Sequence, residues 1–149
     1  MPLSQKCQYA IRSIFELAKN AENQPLKTGM IAKSQSIPIR FLEVILNQLR
    51  QGGFVDSRRG NAGGYYLTRP PSEITVGEII AFVEGPLGPV SCVPGGGDLD
   101  CPLRDNCVFM PLWERVKKAE SDIYFGTTFK NLVDQELRMR NEYIPQYTM

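Results

Sequence analysis

Among 149 residues there is no histidine, and tryptophan occurs once. Without an imidazole, no side chain has an unperturbed pKa between 5 and 8. That removes the usual general base of hydrolytic enzymes and the commonest ligand of protein metal sites. A C-x-x-C pair is missing, as is any glycine-rich nucleotide-binding loop, so neither a thiol oxidoreductase nor a nucleotide-dependent enzyme is expected. No apolar run approaches the ~20 residues that span a bilayer, and the opening MPLSQKCQYA lacks the apolar core of a secretory signal. The expectation is a cytoplasmic protein, not an enzyme, in a compartment where thiols stay reduced.

What is present is an ordinary globular composition, 42% hydrophobic and 22% charged, in a length suited to one domain that buries its own core. The net charge of +1 is unevenly spread. Residues 1–70 carry ten Lys/Arg against four Asp/Glu, a net +6, whereas residues 71–149 carry seven against twelve, a net −5. A basic first half suits a polyanion, with the acidic half turned away from it.

Ser4 is a suitable N-cap for a first helix, in which Tyr9, Ala10, Ile11, Ile14, Phe15, Leu17 and Ala18 form a broad apolar face. TGMIAKSQ, residues 28–35, predicts a short second helix. After the turn Ser36-Ile37-Pro38, a third helix runs over 38–51, with Phe41, Leu42, Ile45, Leu46 and Leu49 expected inward and Gly52-Gly53 as its stop. Phe54–Ser57 and Tyr65–Thr68 predict two strands joined by RRGNAGG, and strands this short must lean on the helices. Thr75 and Glu78 have the spacing of a capping box that opens a helix to about Glu84. Residues 85–107 show little regular pattern and hold three of the four cysteines, in SCVPGGGDLDCPLRDNC. A long helix begins near Pro111, a second helical piece runs from Thr127, and the tail NEYIPQYTM is expected to be loose. The order predicts a mainly α fold with a small β-hairpin wing: a winged helix-turn-helix (1–84), a cysteine-bearing loop (85–107) and a C-terminal helical segment (108–149).

In a winged helix-turn-helix, the second helix of the motif lies in the major groove with its early residues toward the base edges. Here that helix presents Pro38, Ile39, Arg40, Glu43, Val44 and Asn47. Arg40 suits a guanine edge or a phosphate, and Glu43 a cytosine amino group. Thr28, Lys33, Ser34 and Ser36 are placed to bind backbone phosphates. Arg58, Arg59, Gly60 and Asn61 form a cationic, glycine-rich wing tip suited to a narrow minor groove or its phosphates. Double-stranded DNA is the expected partner, with no small-molecule substrate.

Three stretches now carry a resemblance: SQKCQYAIRSIFELAK, IPIRFLEVILNQL and RRGNAGGYYLTRPPSEITVGEIIAFVEGPLGPVSC. They are similar to the Rrf family of bacterial transcription regulators, which has IscR-, NsrR- and CymR-like members. The RG-x-x-GGY-x-L wing, followed by IT-x-GEI and a VEGP segment, is the signature, and the resemblance covers residues 1–92 closely and the rest by architecture. It implies a homodimer in which the long helix from Pro111 crosses to the partner, with Trp113, Val116, Ala119 and Ile123 on its apolar stripe. It also implies that Arg40, Phe41, Glu43 and Arg59 lie at the DNA interface.

The cysteine spacing is Cys92-x8-Cys101-x5-Cys107. Thiolates are soft ligands that suit iron–sulfur clusters and zinc, and a loop without packing of its own can be held by a metal centre. On the residues alone, a metal and incidental reduced thiols both stay open. The family resemblance implies an iron–sulfur cluster on these three cysteines, 2Fe-2S or 4Fe-4S, with a fourth ligand that varies between members. IscR-like members place a histidine three residues past the last cysteine; that position is Met110 here, and a thioether is a weak cluster ligand. NsrR-like members take a carboxylate from the partner's first helix at the position of Gln8, whose neighbour is Cys7. The candidates that remain are Cys7 supplied across the dimer, an acid of the loop (Asp98, Asp100 or Asp105), and an exogenous thiol or water. The reading leans to Cys7, whose other role would be a small buried residue of the first helix. The implied regulator controls operator binding through redox state, iron–sulfur status or nitric oxide. Its alternative is a CymR-like regulator without a cluster, controlled by a protein partner, whose cysteines are incidental or bind zinc.

Overall fold

The computed structural model describes residues 2–22, 25–93 and 101–143. Ser4 caps the first helix as expected: its hydroxyl accepts the Cys7 N–H at 3.1 Å, and α1 runs Gln5–Lys19. Cys7, Ala10, Ser13, Ile14, Leu17 and Ala18 are buried along it. Glu16 is buried as well, and is satisfied by Lys19 at 2.8 Å and the Gln35 side-chain amide at 3.1 Å.

α2 (Thr28–Gln35) and α3 (Ile39–Gln51) form the helix-turn-helix. Ser36 closes α2 in a left-handed conformation, φ 53° and ψ 47°, a position that more often takes glycine. Pro38 serves as the N-cap of α3 rather than its first helical residue. α3 buries Leu42, Ile45, Leu46 and Leu49, but Phe41, expected inward, is 61% exposed. The four buried residues already complete the i, i+3, i+4, i+7 stripe, and Phe41 falls about 100° off its start.

The wing consists of β1 (Val55–Arg58) and β2 (Gly64–Leu67), antiparallel, with Val55 opposite Leu67 and Arg58 opposite Gly64. Each strand lies one residue from its expected place. Phe54 turns into the core, and the Thr68 hydroxyl bonds the carbonyls of Gly53 and Phe54 at 2.5 and 3.2 Å. The short hairpin is braced on its other edge by Leu26, which exchanges two backbone hydrogen bonds with Tyr65 at 2.9 and 2.7 Å. Gly64, at φ +146°, allows that approach, since any side chain there would meet the Leu26 carbonyl.

α4 (Val76–Glu84) opens on the capping box: Thr75 Oγ1 accepts the Glu78 N–H at 3.2 Å, and the Glu78 carboxylate accepts the Thr75 N–H at 2.8 Å. Partial burial pushes the Glu78 carboxyl up, but the Thr75 N–H and the Arg69 guanidinium 3.2 Å away outweigh it and hold it below the usual range.

Beyond the cysteine loop, α5 spans Met110–Phe125 and α6 Phe129–Tyr143. α5 buries none of its residues. α6 turns back onto the N-terminal half. Thr127 and Ile74 carbonyls accept the N–H groups of Val76 and Phe129 at 2.9 and 3.0 Å. Phe129 is fully buried in the same core as Ile14, Leu46, Ile74 and Ile79, and Glu136 reaches Lys19 of α1 at 3.5 Å. Of the tail expected to be loose, Asn141 to Tyr143 continue α6, and residues 144–149 lie outside the described residues. No helix among the described residues is long and apolar enough to cross a membrane.

Candidate nucleic-acid interface and cysteine loop

Burial of Leu42, Ile45, Leu46 and Leu49 turns the opposite face of α3 to solvent. Arg40, Phe41, Glu43 and Val44 are exposed there, beside exposed Lys33 and Ser36 and half-buried Thr28. At the wing, Arg58, Arg59, Gly60 and Asn61 are all exposed. The cations are not equivalent. Arg50 is tied down, donating to Asn47 Oδ1 at 3.0 Å and Ser57 Oγ at 3.1 Å, and Arg58 lies over the Tyr66 ring at 5.8 Å. Lys33, Arg40 and Arg59 make no ion pair among the described residues. Asn47, expected on the reading face, is engaged by Arg50. The arrangement offers unpaired positive charge on α2, α3 and the wing, as phosphate binding requires.

Cys92, Cys101 and Cys107 are free thiols, each half-buried. Val93, only 3% exposed, is buried at the Cys92 end, and a side chain at Gly88 would touch both Val93 and the aliphatic stem of Lys117 on α5. At the other end a 3-10 turn, Arg104–Asn106, is closed by the Arg104 N–H on the Cys101 carbonyl at 3.2 Å. The Cys107 carbonyl accepts the Met110 N–H at 3.3 Å, joining the turn to α5. The donor chemistry fits a soft metal centre, with three partly open thiols and no competing imidazole. Among the described residues, no three of Cys, Asp and Glu are gathered into a ligand group. Asp105 is exposed within the 3-10 turn and Met110 is half-buried at the start of α5, while Asp98 and Asp100 lie outside the described residues.

Cys7 differs. It is fully buried on α1, and burial first, then the charge of Glu84 and a hydrogen bond to it, push its thiol up to about 11. Glu84, the last residue of α4, accepts the Ser4 N–H at 2.8 Å. Hydrogen bonds from Ser4, together with Lys6 and Cys7, hold the Glu84 carboxyl below its usual range despite some burial. This contact joins residues 80 apart in the chain and carries no local sequence signal.

Comparison with known proteins agrees with this architecture. The HTH-type transcriptional regulator IscR of Klebsiella pneumoniae is 32% identical over 136 residues, 91% of this chain and 82% of that protein. The structure of IscR from T. potens superposes with a TM-score of 0.74 at 30% identity, covering 91% of this chain and 88% of the other. That of CymR, the global cysteine regulator of B. subtilis, gives 0.74 at 30% identity, covering 91% and 98%. These relatives are transcriptional regulators rather than enzymes. Residues 3–135 match the family model described as Rrf2, iron-dependent transcriptional regulator, and the chain belongs to the Rrf2 family of winged-helix transcriptional regulators.

Proposed function

We propose that this regulator acts in the cytoplasm as a homodimer on two-fold-related operator DNA, and that an iron–sulfur cluster held by Cys92, Cys101 and Cys107 sets its operator affinity. The observation that carries the reading is where the three free thiols lie: between a complete DNA-binding unit and a helix whose apolar face is uncovered. Arg40 and Glu43 meet base edges, with Phe41 beside them. Thr28, Lys33 and Ser36 hold phosphates, and Arg58, Arg59, Gly60 and Asn61 follow the minor groove. On α5, Leu112 and Ile123, three turns apart on one face, are 47% and 66% exposed, which supports a second copy of the chain as their cover.

When bound, the cluster supplies iron–thiolate bonds that oxidation or nitric oxide breaks. The chain's own part is mechanical. Val93 and the 3-10 turn hold the two ends of the loop, so tying the three thiols together fixes how α4 feeds into α5. Releasing them loosens that link and alters the separation of the two α3 helices, on which half-site spacing depends. The effect on DNA equals the difference in affinity between the two states. The burial and raised thiol of Cys7 support its role as a core residue, leaving the fourth position to Asp105, another loop acid or an exogenous ligand.

A second reading is a cluster-free regulator that answers to a protein partner. Two observations favour it: the CymR structure covers this chain as well as the IscR structure does, and no ligand group is assembled among the described residues. Purification without oxygen from iron-replete cells separates the two. The cluster reading expects a coloured protein with iron and sulfide in matching amounts. A colourless, DNA-binding protein supports the second reading, and stoichiometric zinc contradicts a sensing cluster.

A further inference from the structure

The outward face of α3 carries more apolar surface than a solvated helix needs. Ile39 is 49% exposed, Phe41 61% and Val44 56%, on a helix that hides its leucines completely. Phe41 and Val44, one turn apart, join Tyr9 of α1 and Ile45 to line a groove of about 410 Å³, with Lys6 at its rim and no carboxylate in its lining. We propose that Val44, backed by Phe41, is a specificity-determining residue that reads the 5-methyl group of thymine in the major groove.

The inference rests on the DNA-binding reading and deepens it. Arg40, Glu43, Val44 and Asn47 follow one another at i, i+3, i+4 and i+7, so Val44 shares a face with the two polar base readers. Asn47, which would otherwise suit an adenine at that level of the helix, is held by Arg50. The one apolar group on the major-groove edge of a base pair is the thymine methyl, and aliphatic side chains recognise it by contact. A cationic rim without anions fits a neighbouring phosphate. It disfavours a basic peptide, and the continuity of Val44 with Arg40 and Glu43 on one face of α3 favours DNA over an acidic one.

The test begins by selecting preferred duplexes from a random-sequence pool with the intact protein. Each thymine of the recovered site is then replaced by deoxyuridine, which removes only the methyl. At one or more positions per half-site the parent should bind about fourfold more weakly, the worth of one buried methyl-sized group. Val44→Ser, at an exposed position and checked for unchanged circular dichroism, should bind the two duplexes equally. Uniform binding of thymine and uracil duplexes by the parent would overturn the inference, as would undiminished discrimination by Val44→Ser. So would a Val44→Ser change confined to the sedimentation of the free protein, which would make the groove a protein interface. If the pool yields no preferred duplex, the DNA-binding reading fails, and the inference with it.

Discussion

Helices α3 and α5 are of similar length, 13 and 16 residues, and both are rich in apolar side chains, yet they dispose of them in opposite ways. α3 buries four aliphatic residues within its own protomer and offers a largely polar face with a small apolar patch. α5 buries none, and leaves Leu112, Ile123 and Phe125 open. The cysteines divide along the same line, with Cys7 sealed in the α1 core and Cys92, Cys101 and Cys107 partly open in the loop before α5. The winged-helix half is therefore packed within one chain, with α6 closing it, whereas the loop and α5 leave three thiols partly open and apolar side chains exposed.

If α6 belongs to the first half, Phe129→Ala should cost about 3–5 kcal/mol of unfolding free energy in urea, as for other buried aromatics. A loss within error would place α6 with α5 instead. If α5 is the open half, Ile123→Glu should weaken self-association by about 2–3 kcal/mol in sedimentation equilibrium, with the fold unchanged. A point substitution is needed because truncation before Pro111 would also remove Phe129 from the core. An equally tight dimer would show that α5 is not the interface.

The third expectation concerns the exposed face of the first half. Arg59→Ala should weaken binding to every duplex alike and reduce the salt dependence by about one counterion. Glu43→Ala should instead flatten sequence preference, and parent-like behaviour of both variants would contradict the placement of α3 and the wing. The smallest effect lies at alkaline pH. The Cys7 thiol rises from 9.0 to about 11 on folding, so the folded state holds that proton more tightly. The associated stability is intact below pH 9 and is lost as pH climbs toward 11. Parent protein should lose more unfolding free energy across that window than Cys7→Ser, and equal losses would argue against a buried, protonated Cys7.

Local signals in the sequence were strong wherever the chain satisfies itself nearby. The Ser4 cap, the Thr75–Glu78 box, the three helices and the wing follow from capping, period and turn chemistry, and strand edges moved by one residue because Phe54 found a place in the core. Phe41 misled because its neighbour Leu42 starts the buried stripe. What stayed illegible depends on distant partners. Nothing near Phe129 announces that it packs against Ile74, nothing near Glu84 announces Ser4, and apolar periodicity does not distinguish Cys7 from a metal ligand. The placing of three cysteines in a stretch of glycine, proline and aspartate was plain from the sequence, and the described residues do not gather them into a ligand group.

Iron content after anaerobic purification, measured side by side for Cys7→Ser and Cys92→Ser, addresses the division of the cysteines most directly. With the loop thiols as ligands and Cys7 as core, Cys92→Ser should lose most of its iron and sulfide while keeping its unfolding transition. Cys7→Ser should keep the iron and lose some stability. A well-folded Cys7→Ser protein that has lost its iron, or a Cys92→Ser protein that retains it in full, would contradict that division.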